Sequence, residues 1–263
     1  MSFAKPPKDT SLSVVSVLRT ERISPNFVRV TVGGEALSVV GDHGFDHWFR
    51  LFLPREEGRT SFSLPDRVDL LGYLKFLRMP EAIRPYLRNY TVRAFRPESR
   101  ELDIDFAIHG DDGIATRWAT RTNPGDTVAL IDQGRGFEFS AQAAHHVLVA
   151  DETGLPAVAG ILRDLPRDAV GTAFIEIAHA ADEQPTDAPA GFDVRWLVRE
   201  PGEQPGKLAL DTVTSWPLPT TELAAYLVGE QSLATGLRRD LVARGVAKKA
   251  ITFSGYWRMG KQG

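Results

Sequence analysis

The chain has 263 residues, 43% hydrophobic and 25% charged, with a net charge of −3 and no cysteine. That balance suits a folded chain of one large or two ordinary domains and excludes disorder, while the weak negative charge excludes general nucleic-acid binding and confines any anion affinity to local arginine clusters. No apolar run approaches the ~20 residues that span a bilayer, the polar first ten residues do not read as a signal peptide, and without cysteine there can be no disulfide, thiolate nucleophile or cysteine-held iron–sulfur cluster. The expectation is a cytoplasmic protein in which an organic cofactor would carry any redox chemistry.

In chain order, the first half reads as short β-strands: Leu12–Leu18, Phe27–Val32, Trp48–Leu53, Tyr90–Phe95, Leu102–Ile108 and Thr127–Ile131. The run Phe27-Val28-Arg29-Val30-Thr31-Val32 has the two-residue period of a half-buried strand. Turn signals at Gly33-Gly34, Pro54 and Asn123-Pro124-Gly125-Asp126 separate the runs. Six closely spaced strands predict a small antiparallel barrel. Between the third and fourth, residues 65–87 carry apolar side chains at mixed helical spacing and predict a helical insertion.

The pattern changes near residue 140. His146–Ala150 reads as a fully apolar strand, and Thr172–Ala178, Val194–Val198, Leu223–Val228 and Ala250–Phe253 as the strands that follow it. Helices are expected after Thr153-Gly154-Leu155-Pro156, as far as Leu165, and over Ser232–Arg244, where Ser232 reads as the cap. Continuous apolar strands alternating with helices predict a parallel sheet covered on both faces. The fold class is therefore two-domain: an antiparallel β-barrel over residues 10–137, then an α/β domain over 145–263, joined by a linker at Gly136–Ala144.

Two motifs carry chemistry. Arg88-Asn89-Tyr90-Thr91-Val92-Arg93 places an aromatic ring and a hydroxyl between two guanidiniums on one strand. Such a set can stack on a planar ring, hydrogen-bond its edge and pair with phosphates, although an inward tyrosine between solvated arginines would look the same. Farther on, Asp105–His109 leads through a glycine-bearing turn into Gly113-Ile114-Ala115-Thr116, the start of a helix whose amides suit a pyrophosphate. The six histidines form no HExxH or other compact helical ligand pair, so no metal site is expected.

In this order the motifs resemble the flavin-binding barrel of the ferredoxin-reductase superfamily, and more narrowly the siderophore-interacting proteins. The resemblance continues through Ala150-Asp151-Glu152-Thr153-Gly154-Leu155-Pro156-Ala157, Val228-Gly229-Glu230 with Leu237-Arg238-Arg239, and Gly255-Tyr256-Trp257-Arg258-Met259-Gly260. Departures from the family's pattern are Ile114 for proline, Thr116 for serine, Ala150 for glycine and Gly154 for alanine. The resemblance implies FAD held by Arg88, Tyr90, Thr91, Arg93, His109, Gly113, Ala115 and Thr116. It places NADPH or NADH beside Asp151, Glu152 and Thr153, with Glu230, Tyr256 and Trp257 near the nicotinamide or flavin. Arg199, Arg238 and Arg239 are candidates for a 2′-phosphate. Arg50, Arg135 and Arg258 would form a basic patch for an anionic ferric siderophore.

The implied protein is a monomeric NAD(P)H-dependent reductase passing electrons through FAD to Fe(III) in a siderophore, with no membrane insertion. A reductase of free flavin, a quinone or a protein carrier is the alternative, as is a flavin-binding module without turnover.

Overall fold

The computed structural model describes residues 7, 11–55, 60–64, 70–108 and 113–260. Strands β1 (Ser13–Ser24), β2 (Phe27–Gly33), β3 (Trp48–Leu53), β4 (Tyr86–Thr91), β5 (Ala94–Arg96), β6 (Glu101–Ala107) and β7 (Thr127–Asp132) form one antiparallel sheet in the order β4-β3-β7-β1-β2-β6-β5. Alternation along β3 explains its layering. Phe49, Leu51 and Leu53 point into a core with Val15, Val30, Leu102, Ile104 and Phe106. Phe52 points outward, onto a second cluster with Phe76, Ala129 and Ile131 under helix α1 (Leu70–Leu77).

β4 and β5 are the two edges of this sheet, yet they are consecutive in sequence. The chain pairs with β3 as far as Thr91, crosses at Val92 and Arg93, and then pairs with β6; the Arg93 amide donates to the Asp103 carbonyl at 2.9 Å. One bent strand thus joins the two edges and closes the barrel. The expected single strand Tyr90–Phe95 is therefore two strands, and it begins earlier, at Tyr86, inside the segment expected to be helical. No glycine or proline marks the crossing in the sequence. β1 also runs beyond its expected end to Ser24, because its polar second half is a solvent-facing hairpin arm with no apolar alternation.

The second half is a parallel five-stranded sheet, β10-β9-β8-β11-β12, made of β8 (His145–Ala150), β9 (Val170–Ile177), β10 (Gly191–Val198), β11 (Leu223–Glu230) and β12 (Ile251–Trp257). Leu148 and Ala150 face helix α3 (Leu155–Asp164). Val147 and Val149 face α4 (Lys207–Ser215) and α5 (Gln231–Ala243). Both faces are covered, as continuous apolar strands require. Helix α4 was not foreseen: its short amphipathic turn buries only Ala209 and Val213. The α5 cap is Glu230, whose carboxylate accepts from the Ser232 amide; Ser232 is not itself the cap, and its hydroxyl donates to the same carboxylate.

Three buried or half-buried carboxylates fasten the halves together. Asp182 accepts from the Ser24 hydroxyl (2.6 Å), the Asn26 amide (2.9 Å) and the Asn26 side chain (2.7 Å), so an acid of the α/β half caps the β1–β2 turn. Asp164, at the end of α3, accepts from the Phe45 amide at 2.5 Å. Asp46, before β3, accepts from the amides of Gly136 (2.9 Å) and Phe137 (2.8 Å) and from the Tyr226 hydroxyl of β11 (2.8 Å). Phe27 and Phe137 add apolar contact by packing among α/β-core residues. Removing the Asp182 carboxylate leaves three half-buried donors unpaired, and each fully buried donor so stranded costs about 1–3 kcal/mol. Asp182→Ala should therefore lower the urea midpoint by an amount equivalent to roughly 2–4 kcal/mol at unchanged slope; an unchanged midpoint would mean this clasp carries no stability.

Candidate functional site

The two chemistry-bearing motifs of the barrel meet through aromatic rings. Tyr90 on β4 packs on Phe106 of β6 with ring centroids 4.4 Å apart, and Phe106 packs on Trp118 at 5.5 Å. Trp118 belongs to α2 (Ile114–Arg121), so this ladder ties Arg88-Asn89-Tyr90-Thr91 to the start of that helix. Gly113, in extended conformation, is the α2 N-cap and so offers no capping side chain of its own, and no acid stands in the first turn. Ala115 packs on the barrel core and Thr116 is buried. His109 lies outside the described residues.

The guanidiniums of this site are only partly satisfied by the protein. Among the described residues, no carboxylate pairs with Arg88, whose guanidinium donates only to the adjacent Leu87 carbonyl (2.8 Å). Arg93 is held between Asp105, 3.5 Å from its Nε, and the Pro185 carbonyl of the α/β half, yet that buried Nε makes no hydrogen bond. Burial lowers the Arg93 pKa more than Asp105 restores it. Two guanidiniums and a glycine-capped helix start form a donor set suited to a pyrophosphate, so the residues present fit FAD. Arg88 is the more available of the two arginines. Thr91 is buried on the outer side of β4, opposite Trp48.

In the α/β half the sheet order reverses between β8 and β11, and open sheets bind ligands beyond the strand ends at such a point. Asp151 follows β8 and Glu230 ends β11, as expected, but neither carboxylate lies open to a cleft. Asp151 is wholly buried and accepts from the Thr153 amide (2.9 Å) and hydroxyl (2.5 Å), the Glu230 amide (2.6 Å) and Trp257 Nε1 (3.0 Å). Burial, followed by the neighbouring Glu152, raises its pKa. Glu230, 2% exposed, holds Ser232 and accepts from the Met259 amide at 3.3 Å. Glu152 is buried in an ion pair with Arg199, which also reaches Glu176. Arg199 is thereby committed inside the domain rather than offered to a 2′-phosphate. Arg238 lies over the Phe253 ring at 4.8 Å, and Arg239 is exposed.

These acids therefore build the floor of the site. Asp151 draws together the segments at 151–153, 230 and 257, which lie far apart in sequence. Gly229 is required there: at φ +117 its Cα faces the Asp151 carboxylate, which an added Cβ would meet at 2.6 Å. Tyr256 is partly exposed, and its hydroxyl lies 3.0 Å from that of Tyr226, extending the Asp46–Tyr226 bond to the end of β12.

The segments carrying the three expected patch arginines also meet. Trp48, two residues before Arg50, exchanges backbone bonds with Gln133 and Gly134. The exposed Arg135 lies over the Phe45 ring at 5.0 Å. Asp46, through Tyr226 and Tyr256, links both to the strand that leads to the exposed Arg258. Arg50 is half-buried, and burial lowers its pKa. Sequence reasoning missed Asp46 and Tyr226, whose partners are long-range. It also missed a cluster of His43, His47 and Asp132, because the carboxylate is 85 residues from His47.

Comparison with known proteins agrees with this layout. A family model described as "Siderophore-interacting FAD-binding domain" matches residues 16–136, and one described as "Siderophore-interacting protein" matches 143–260. The NADPH-dependent ferric-chelate reductase of Escherichia coli is 29% identical, over 95% of this chain and 94% of its own. The ferric vibriobactin reductase ViuB of Vibrio cholerae is 29% identical, over 94% and 90%. The crystal structure of a siderophore utilization protein from T. fusca aligns with TM-score 0.82 at 34% identity, covering 99% of this chain and 97% of that one.

Two departures from the expected pattern explain each other. An added Cβ on Gly154 would lie 2.6 Å from Val228 Cγ2 and 2.9 Å from Ala150 Cβ. Ala150 in place of glycine thus fills the space that alanine at 154 would need. Gly154→Ala should cost about 1–3 kcal/mol by overpacking. Adding Ala150→Gly relieves one of the two contacts, so the double variant should recover a substantial part of that loss; additive losses in a thermal-melt double-mutant cycle would contradict the compensation.

Proposed function

The chain belongs to the siderophore-interacting protein family, and on that basis we infer that it is an oxidoreductase passing electrons from NAD(P)H through bound FAD to Fe(III) in a ferric siderophore, releasing Fe(II). The observation that carries this reading is the pair of partly satisfied guanidiniums at and just beyond β4, together with the glycine-capped start of α2, in a barrel clasped to a parallel sheet whose strand order reverses. FAD, when bound, supplies the chemistry that no side chain here can: it accepts an electron pair from a reduced nicotinamide and gives up single electrons.

The chain's own residues do the rest. Arg88, the α2 amides and Thr116 hold and neutralise the phosphates, with Arg93 fixing the turn beside them. Tyr90 and Thr91 line the ring site. Asp151 keeps Thr153, Glu230 and Trp257 in one arrangement, so that the nicotinamide pocket has a fixed floor. Arg50, Arg135 and Arg258 attract a ferric chelate that the net charge of −3 would repel at a distance. Iron leaves because hard oxygen donors bind Fe(II) far more weakly than Fe(III). NADPH is the favoured reductant by similarity to the E. coli relative. The same reading takes the protein as a cytoplasmic monomer, since one chain supplies both halves of the cleft.

Each charge-assisted phosphate contact is worth about 1.5–3 kcal/mol, so Arg88→Ala should weaken FAD binding roughly ten- to a hundredfold. Full flavin occupancy with unchanged affinity in that variant would remove β4 from the cofactor site. The function itself is tested by anaerobic turnover of ferric siderophores with NADPH and a ferrous-iron trap. Trapped Fe(II) should accumulate catalytically, and Arg258→Ala should raise the KM for anionic chelates by an amount that shrinks at high salt, leaving flavin reduction unchanged. Absence of Fe(II) with rapid flavin reduction would point to a different acceptor.

A further inference from the structure

The β2–β3 connection folds two histidines onto one buried aspartate. His47 Nε2 lies 2.9 Å from Asp132 Oδ1, and His43 Nε2 lies 3.1 Å from Asp132 Oδ2. The imidazoles meet edge to face with centroids 4.7 Å apart, and one donor atom from each of the three residues falls within 4.8 Å of the others. Asp132 is further fixed by the amides of Gly134 (2.7 Å) and Gly41 (3.2 Å). Gly41 leaves the room that lets His43 turn back over the carboxylate: an added Cβ would meet its ring at 2.6 Å.

A purely structural tie between this loop and β7 would need only one histidine. The second, and the environment of the first, are what call for explanation. The His47 side chain is 2% exposed, and its Nδ1 is buried without a hydrogen-bond partner, a cost the fold carries for no visible structural return. His43 is 29% exposed and lines a cavity of about 450 Å³ with Asp42, Phe45, Arg163 and Asp164. The cluster is thus buried on one side and reachable on the other. The two imidazole nitrogens approach different oxygens of one carboxylate, at 2.9 and 3.1 Å, and one donor atom from each residue lies within 4.8 Å of the others, so modest side-chain rotations bring all three onto the bonds of about 2.1 Å that a single ion requires. Two imidazoles and one carboxylate on one face, with positions left for water, suit a borderline divalent ion of the first transition row rather than Mg²⁺ or Ca²⁺.

We propose that His43, His47 and Asp132 form a binding site for one divalent first-row transition-metal ion, entered from the cavity beside His43. A neutral imidazole carrying its proton on Nε2 can bind through that atom once the proton moves to Nδ1. In His47 that shift makes the buried Nδ1 a donor in place of an acceptor, while Nε2 and Asp132 exchange their mutual hydrogen bond for bonds to the ion. The site adjoins the flavin-binding strand, since the His47 carbonyl accepts from the Val92 amide at 2.7 Å. If the ion in the cell is Fe(II), as the product of the proposed reductase, that identity rests on the proposed function; the existence of the site does not.

The test uses the FAD-bound protein, freed of metal by a chelator and dialysed against Co(II). Wild type should retain one Co(II) per chain and show a higher Tm with the metal than without it. His43→Ala, a half-exposed position whose loss leaves the core intact, should weaken Co(II) binding by at least about tenfold and abolish the Tm shift while keeping its flavin. Asp132→Asn, which keeps the side chain's shape but halves its acceptors, should do the same. Failure of wild type to hold stoichiometric Co(II), or retention by His43→Ala at wild-type affinity, would overturn the proposal and leave the cluster as a hydrogen-bonded tie. Neither outcome depends on whether ferric siderophores are turned over.

Discussion

The architecture depends on Asp46 more than on any other side chain. Its carboxylate ends the connection into β3, accepts two amides from the segment linking the halves, and accepts the Tyr226 hydroxyl from the middle of the parallel sheet. A barrel and a parallel sheet joined by a short linker would otherwise be free to rotate, and a cleft shared between them would have no fixed width. Burial raises the Asp46 pKa, while the bonds from Phe137, Tyr226 and Gly136 act to keep the charge in place. With Asp164 and Asp182 it makes a recurring device, a carboxylate of one half accepting hydrogen bonds from the other. Such contacts are directional, so they set orientation where apolar packing alone would set only proximity.

The same device works inside the α/β half. Asp151, Glu230 and Glu152 stand where residues in contact with a nicotinamide were expected, and all three are turned inward. Their effect on catalysis passes through what they hold: Thr153, the β11 end, Trp257 and Met259. This agrees with a cofactor enzyme, in which the protein's contribution is position and electrostatics. Among the described residues Arg88 has no carboxylate partner, and Arg135 and Arg258 are exposed at the surface.

Much of the fold was legible because burial imposes period. Apolar strands covered on both faces read as continuous runs at 146–150 and 223–228, and half-buried barrel strands read as alternation at 27–32. Solvent-facing or irregular pieces left no such trace. The outer arm of β1, the crossing at Val92–Arg93 and helix α4 obey long-range pairing that no local pattern encodes. The site followed the same division. Motif residues were locatable because they are contiguous, whereas the Asp46–Tyr226–Tyr256 chain and the His43–His47–Asp132 cluster join residues from separate strands and loops. Sequence could name Glu230 but not the direction of its side chain, which Ser232 and Met259 decide.

A crystal structure of the FAD complex tests most directly whether a flavin sits in the junction held by Asp46, with its phosphates at Arg88 and the start of α2. The expected result is pyrophosphate density against Arg88 and the α2 amides, the ring system beside Tyr90 and Thr91, and the Asp46–Tyr226 bond intact. Flavin density away from β4, or a complex in which that bond is open and the two halves have rotated apart, would contradict it.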